Sequence, residues 1–378
     1  MPFKILDLTD HTSAILDKIE YIKNENVFKI SDSKENYIKI NYIPDFFSEW
    51  DENRYELYVF ENHYLNAEID IFQIYESSLK NDRLGYIFPL GLLEANEINY
   101  NEDEYPHLKN YITIAYKKIL QSDLSIQNSD FNKIYNLSDL FKDYIVCLLN
   151  KDSLAKIKTG FNIKDYILSF YGYGYLEYKN HLKNKSIFDK SDFVKEMRLN
   201  RKRITIKKSN YDINGNDFIR SLFRDHLLQS DSHIVRFILL YQVLEHFIED
   251  EFNREFELQL DNYKKGSLSK NDLKENISKI SRERDLIRTV INRISITNNI
   301  QIEFARECDF LFQELNLEFK KKTFTDNIYD LRNLITHRLR LLTSKNETLV
   351  KIIEIFERII VEILINYTNI EVSGDNLN

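Results

Sequence analysis

The chain has 378 residues, enough for two domains or one large one, and its net charge of −8 provides no overall basic field for binding nucleic acid. Cys147 and Cys308 lie far apart in apolar, helix-like segments, so we expect two buried thiols rather than a disulfide or a metal site. No segment approaches the ~18 apolar residues of a membrane span, and acidic residues interrupt the N-terminal segment where a signal peptide would be apolar. These features predict a cytoplasmic protein with no membrane partner.

The first half of the chain mixes strand and helix patterns. Residues 36–43 alternate polar and apolar side chains and predict a strand, while the aromatic and β-branched residues of 55–77 predict a β-hairpin. Helical periodicity then appears in residues 108–120 and 137–151. This half is therefore expected to form a mixed α/β domain over residues 1–209.

Two short basic stretches could follow an RNA backbone with salt-dependent binding. A solvated strand edge or linker is the more common explanation of such stretches, and both alternatives stay open here. The cations concerned are Arg198, Arg201, Lys202, Arg203, Lys207 and Lys208 in the first stretch and Lys320, Lys321 and Lys322 in the second.

The second half is predicted to be almost entirely helical. After a turn-rich segment at residues 210–217, Ser269 is expected to cap one of the helices. Short polar connectors between amphipathic helices are typical of an up-and-down helical bundle. The fold class is therefore α+β, with a mixed α/β N-terminal domain followed by an all-α bundle over residues 210–378. The predicted helices span residues 217–229, 231–260, 269–297, 301–315, 326–342 and 346–367.

The stretch YDLRNLITHRLR, residues 329–340, places a continuous polar face opposite an apolar stripe. At about 100° per residue, Leu331, Leu334 and Ile335 fall on one side of the helix and form its core stripe. A solvated face with an incidental histidine is the simplest explanation of the other side. An asparagine directly after the arginine, inside a strongly amphipathic helix, makes chance a weaker explanation. The residues of the polar face are Arg332, Asn333, Thr336, His337 and Arg340.

The segment LRNLITH resembles the Arg-x4-His signature of the HEPN superfamily, in which Asn, Asp or His often follows the arginine. The resemblance covers residues 217–368 and is strongest to abortive-infection and phage-defence proteins that carry a variable domain before a C-terminal HEPN domain. It implies a HEPN-like bundle that forms a homodimer through the motif helix. In nuclease members, the two motifs of a dimer form one composite site that cleaves RNA without a metal or another cofactor.

This resemblance implies an endoribonuclease in antiphage defence or toxin-like growth arrest, with an N-terminal domain that senses a phage-derived trigger or restrains activity. Imidazole exchanges protons near neutral pH, so two His337 side chains from two protomers would serve as general base and general acid. The Arg332 guanidinium would stabilise the charge of the phosphorane. Cleavage would leave a 2′,3′-cyclic phosphate and a 5′-hydroxyl. Asn333 would orient His337 and Thr336 would support the site, while Arg338 and Arg340 would bind RNA phosphates.

Glu245 lies in the middle of an apolar stripe on the second predicted helix, at about 20° from Ile234. A buried carboxylate without a partner costs several kcal/mol, so a cationic partner is expected. One interpretation pairs Glu245 with Arg332 and holds that guanidinium in place. The other pairs it with Arg338, which falls on the core side of its own helix. Asp250 with Arg254 is an alternative match to the acidic-x3-basic pattern of the family.

Two other functions remain open at this stage. Many HEPN proteins are non-catalytic dimerisation or nucleic-acid-binding adaptors, and the same polar face could simply form a dimer interface. A toxin–antitoxin pair with a nucleotidyltransferase partner is less favoured, because such relatives often carry a tyrosine two residues after the histidine. Here that position is Leu339.

Overall fold

The structure, a computed structural model, divides the described chain into two compact units, with the boundary after Lys207, close to the one predicted after residue 209. Sheets dominate the first unit and helices dominate the second, which gives the α+β layout that the sequence predicts. No helix within the described residues combines the length and the hydropathy of a membrane span. The residues described are 3–6, 13–16, 18–32, 36–61, 71–79, 81–96, 101–122, 133–141, 144–177, 203–230, 232–294, 296–317, 323–342 and 346–367.

The described strands of the first unit form three sheets. Strands β1 and β2 pair as a two-stranded sheet, a six-stranded sheet has the order β11-β6-β10-β8-β7-β12, and a four-stranded sheet has the order β3-β4-β5-β9. The strands are β1 Phe3–Leu6, β2 Ser13–Leu16, β3 Lys18–Ile22, β4 Val27–Ser31, β5 Tyr37–Asn41, β6 Tyr55–Glu61, β7 Phe72–Glu76, β8 Arg83–Pro89, β9 Ile134–Tyr135, β10 Ile145–Asn150, β11 Leu176–Glu177 and β12 Arg203–Ile206. The helices of this unit are α1 Leu108–Leu120, α2 Leu137–Leu140, α3 Lys151–Leu154 and α4 Ile167–Gly172.

Two sequence predictions for this unit are confirmed and one is wrong in its pairing. The strand within residues 36–43 is β5, and the helix over 108–120 is α1. The segment 55–77 does contain two strands, but β6 pairs with β10 and β11, whereas β7 pairs with β8 and β12. Aromatic and β-branched residues favour an extended backbone without specifying its partner, so the hairpin prediction failed.

The helix predicted over residues 137–151 is confirmed only in its first turn, α2, because Ile145–Asn150 form β10 in the middle of the six-stranded sheet. Val146 and Leu148 belong to the core on one face of that sheet, while Cys147 and Leu149 belong to the core on the other face. A strand buried on both faces is an unbroken apolar run, which periodicity alone does not distinguish from a buried helix. Cys147 is a buried free thiol, as expected, and burial raises its pKa.

Gly85 allows β8 to lie directly against β10. A β-carbon at this position would come within 1.9 Å of the carbonyl oxygen of Leu148 on the neighbouring strand. Backbone atoms in the middle of a sheet cannot move away cheaply, so the close pairing of these central strands requires a residue without a side chain.

The helices of the second unit follow the predicted segments closely, with one division. The segment 269–297 forms two helices that are separated at residues 281–282. Ser269 caps the first of them as predicted, in a reciprocal capping box with Asp272. The helices are α5 Asp217–Ser221, continued by the π-turn Leu222–His226 and by α6 Leu227–Gln229, then α7 His233–Lys264, α8 Lys270–Ile280, α9 Glu283–Asn292, α10 Asn298–Glu314, α11 Phe324–His337 and α12 Asn346–Asn366.

Helix α7 is the centre of this unit, because α8, α9 and α12 all pack against it. Helix α11 packs against α9 and α10. A buried ion pair joins α7 to α12, with Arg236 Nη2 2.6 Å from Glu357 Oε2 and both side chains almost fully buried. Cys308 on α10 is a buried thiol that is not part of a disulfide, as the sequence predicts. This packing places the N-terminus of α9 next to the middle of α11.

Candidate functional site

Helix α11 carries the Arg-x4-His motif and is shorter than the sequence predicts. It begins with a capping box in which the Thr323 hydroxyl accepts from the Asp326 amide while the Asp326 carboxylate accepts from the Thr323 amide. Leu331, Leu334 and Ile335 are buried, as the apolar stripe predicts. The helix ends at His337 instead of continuing to residue 342, because the next residue leaves the helical conformation, with φ −133° and ψ 29°.

Arg332 is half-buried and held from three sides. Its Nε lies 3.6 Å from Glu283 Oε1, at the N-terminus of α9. Its guanidinium carbon lies 5.9 Å from the centre of the Tyr241 ring on α7, and its Nη1 donates to Asn333 Oδ1 over 3.2 Å. Three helices therefore fix the orientation of one guanidinium.

The Tyr241 hydroxyl completes this arrangement by donating to Glu283 Oε1 over 2.8 Å. Burial raises the pKa of Tyr241, and the hydrogen bond with Glu283 raises it further, although the positive charge of Arg332 acts in the opposite direction. The phenol therefore stays protonated and remains a donor to the carboxylate. Tyr241 and Glu283 were not identified from the sequence.

Glu245 is not the ion-pair partner of Arg332, which corrects one of the two sequence interpretations. The buried face of α7 contains Phe237 and Leu244, whereas Ile238 and Glu245 are exposed. Helices α8, α9 and α12 determine which face of α7 is covered, so the true core stripe is rotated from the predicted one. Glu283 occupies the position next to Arg332 that the sequence assigned to Glu245.

Glu245 still interacts with the site electrostatically. The residue is exposed as a whole, but neighbouring atoms partly desolvate its carboxyl group and raise its pKa. The negative charge of Glu283 raises this pKa as well, while Arg332 lowers it. Both carboxylates therefore interact electrostatically with one guanidinium, and of the two Glu283 is within ion-pair distance.

His337 is the last residue of α11, and its imidazole is exposed. Asn333 does not orient it within the unit, because the Asn333 side-chain oxygen accepts from Arg332 instead. The Thr336 hydroxyl donates to the carbonyl oxygen of Arg332 over 2.8 Å, which is a bond within the helix. The imidazole is thus available to a partner in solution, while the guanidinium is held by its own unit.

Arg338 and Arg340 lie beyond the end of α11, and both are exposed. The alternative pairing of Glu245 with a buried Arg338 is therefore wrong, because the helix stops before Arg338 could turn toward the core. Arg340 lies in the short 3-10 turn Leu339–Leu341. Both cations follow the exposed imidazole in the chain.

Two other cations among the described residues, Arg254 and Arg203, have partners of their own. Asp250 lies 3.8 Å from His246, whereas Arg254 contacts Glu251 and Glu255, so the alternative acidic-x3-basic pair is not formed. Arg203 lies over the Tyr75 ring in the first unit. Arg198, Arg201, Lys202, Lys320, Lys321 and Lys322 lie outside the described residues.

Few sequence signals could have identified Tyr241 and Glu283. Tyr241 lies on the apolar stripe of α7, where packing in the core is the ordinary explanation of an aromatic ring. Glu283 lies inside the single helix predicted over 269–297, and only the break at residues 281–282 turns it into the first residue of α9. Their contact with Arg332 depends on how separate helices pack, which no local pattern encodes.

Comparisons of the chain with protein-family models, with curated proteins and with solved structures found no match. What the site can do therefore follows from its own chemistry. It combines a fixed guanidinium, an exposed imidazole and two exposed arginines, which suits the binding and acid–base cleavage of a phosphodiester.

Proposed function

We propose that the protein is a metal-independent endoribonuclease, built as a HEPN-like bundle whose site is completed by a second copy of the chain. The observation that carries this proposal is the division of roles on α11. Arg332 is anchored by Glu283, and five residues later the imidazole of His337 is exposed at the end of the helix. In a two-fold dimer, the exposed imidazole of one protomer can meet the same imidazole of the second protomer.

The proposed cleavage uses the two imidazoles in complementary protonation states. One His337 removes the proton of the 2′-hydroxyl, whose oxygen forms a bond to phosphorus. The bond from phosphorus to the 5′-oxygen breaks, and the second His337, protonated, supplies a proton to that oxygen. Arg332 stabilises the additional negative charge of the phosphorane. Arg338 and Arg340 bind flanking phosphates.

The biological part of the proposal comes from the family resemblance. It is a role in antiphage defence by abortive infection, or in toxin-like growth arrest, inside the cytoplasm. The first unit would sense a phage-derived trigger or restrain the nuclease. Co-expression of phage proteins with wild-type and His337→Ala chains tests this role, since only the wild-type chain should arrest growth when the trigger is present.

The central experiment compares His337→Ala with a matched histidine variant. The wild-type protein should cleave RNA in EDTA and leave 2′,3′-cyclic phosphate ends, which mass analysis identifies. His337→Ala should lose at least about 100-fold in rate, the scale of general acid–base catalysis. His226→Ala removes another exposed imidazole from the same unit and should keep full activity. Equal activity of His337→Ala and wild type, or an absolute need for a metal, would contradict the proposal.

Subunit mixing tests the composite site. If both imidazoles of a dimer are required, an equal mixture of wild-type and His337→Ala chains should keep about a quarter of the activity of the same total amount of wild type after exchange. Independent sites would keep about half. Light scattering of the wild-type protein measures its molecular mass in solution, which should be that of a dimer.

One observation favours a second candidate, a non-catalytic adaptor that dimerises through the same face. Leu339 and Leu341, directly after His337, are exposed at 42% and 36%. Exposed aliphatic side chains beside a polar face are typical of protein–protein contacts. Dimerisation without any cyclic-phosphate product under activating conditions would favour the adaptor.

A further inference from the structure

Tyr241 is the innermost member of a three-residue chain that ends at Arg332. Its side chain is 4% exposed, and its ring stacks on Phe237 with 5.7 Å between the ring centres. Packing therefore fixes the ring, and the ring fixes the direction of its hydroxyl. Each member of the chain comes from a different helix, because Tyr241 lies on α7, Glu283 on α9 and Arg332 on α11.

A single carboxylate oxygen links the phenol to the guanidinium. Glu283 Oε1 accepts from the Tyr241 hydroxyl over 2.8 Å and lies 3.6 Å from Arg332 Nε. Tyr241 also lies under Arg332, with its ring centre 5.9 Å from the guanidinium carbon. Without the phenol, the half-buried carboxylate of Glu283 would be free to rotate into solvent, and the guanidinium would lose its fixed partner.

We infer that Tyr241 is a positioning residue for Arg332, acting through the Glu283 carboxylate. This inference rests on the proposed nuclease function and deepens it. A guanidinium contributes to catalysis when it is already aimed at the place where the phosphorane charge develops. The exposed Arg338 and Arg340 bind the substrate backbone independently, so looser placement of Arg332 should reduce the transition-state interaction more than substrate binding.

Tyr241→Phe removes the hydroxyl and keeps the ring. Its kcat for RNA cleavage should fall about tenfold, with KM unchanged, because only the interaction made in the transition state is weakened. Glu283→Gln should lower kcat by a similar or larger factor. Tyr211→Phe is the matched control, since the Tyr211 hydroxyl also has hydrogen-bond partners in this unit, His246 and Asn216. It should leave kcat unchanged.

The double variant Tyr241→Phe with Glu283→Gln separates positioning from a merely structural role. If the phenol acts through the carboxylate, the double variant should be no slower than Glu283→Gln alone, because the charge that the phenol orients toward Arg332 is already gone. Independent, multiplicative losses in kcat would overturn the proposal. An unchanged kcat in either single variant, with a stable fold, would also overturn it.

Parallel measurement of His337→Ala distinguishes this inference from the proposed function. If the wild type does not cleave RNA, or His337→Ala cleaves it normally, the nuclease proposal itself fails. If the wild type is active and His337→Ala is not, kcat of the tyrosine variant decides the role of Tyr241. If Tyr241→Phe does not fold, Glu283→Gln tests the Tyr241–Glu283 contact by changing its half-buried partner. An unchanged kcat in Glu283→Gln then overturns the inference.

Discussion

The two units bury their polar side chains in different ways. The first unit buries tyrosines, and Tyr42, for example, donates to the carbonyl oxygen of Phe46 over 2.8 Å. Among its described residues, the buried charged side chain is Glu76, which accepts from the amide of Ser78. The second unit buries ion pairs between helices instead, most completely Arg236 with Glu357.

This difference follows from how strands and helices satisfy their backbones. A strand selects its neighbours through backbone hydrogen bonds, so the side chains of a sheet need only fill the core. A helix satisfies its own backbone, and side chains must determine which helices meet. The ion pairs Arg236–Glu357 and Arg332–Glu283 each join two helices of the second unit. The candidate site therefore uses the same kind of contact that holds its unit together.

The largest effect on stability is expected from Arg236→Met. This change removes the Arg236 cation that lies 2.6 Å from the buried Glu357 carboxylate, which should cost about 3–5 kcal/mol of unfolding free energy. Urea unfolding followed by far-ultraviolet circular dichroism measures the loss in the helical unit. Adding Glu357→Leu should restore much of the stability, because the buried carboxylate is then removed together with the arginine. If Arg236→Met were as stable as the double variant, the buried ion pair would not be what distinguishes the core of the second unit.

Gly85→Ala should be the most damaging small change in the first unit. The added methyl group would collide with the Leu148 carbonyl oxygen, at a cost of about 2–3 kcal/mol. Gly160→Ala is the control, because its methyl group meets no atom and only its φ of 73° is strained, at about 1 kcal/mol. Trp50 is the single tryptophan of the chain and lies in this unit, so its fluorescence follows the unfolding.

Removal of a neutral hydroxyl should cost less than removal of a buried charge. Tyr42→Phe loses the bond to Phe46 and a 3.0 Å contact with the Thr113 hydroxyl, which should lower the unfolding free energy by about 1–2 kcal/mol. Tryptophan fluorescence during urea unfolding measures this change. Tyr37→Phe, at a half-buried position at the start of β5, is the control. A loss as large as that of Arg236→Met would contradict the distinction between the two cores.

The smallest expected effect is pH-dependent and concerns the start of the motif helix. Although burial by itself raises the pKa of Asp326, hydrogen bonds from Thr323 and the charges of Arg284 and Arg288 hold it below its usual value. Because the pKa is lowered in the folded protein, this stabilisation is present above about pH 4 and is lost as the pH falls further.

Asp326→Asn should therefore cost about 1 kcal/mol at neutral pH. Its stability should converge with that of the wild type in acid, because protonation removes the same interactions from the wild-type side chain. Thermal unfolding of both proteins across the acidic range checks this convergence. A difference between them that does not change with pH would show that the carboxylate charge has no part in the cap.

Patterns along the chain predicted most of the second unit and the polar side of its motif helix. The bounds of α7, α10 and α12 come within a few residues of the predicted segments, and His337 is exposed as its place on the polar arc requires. Amphipathic periodicity is local, so it can be recognised without any knowledge of neighbours. The sequence alone therefore determined the layout and the two central residues of the candidate site.

Only the tertiary structure decided which residues surround Arg332. Glu283 and Tyr241 meet the guanidinium because α9 packs against both α7 and α11, and the exposed Glu245 shows that the covered face of α7 depends on its neighbours. The same reason explains why β6 and β7 are not partners and why residues 145–150 form a strand. Contacts between distant segments depend on the packing of the whole unit, and no local period of the sequence records them.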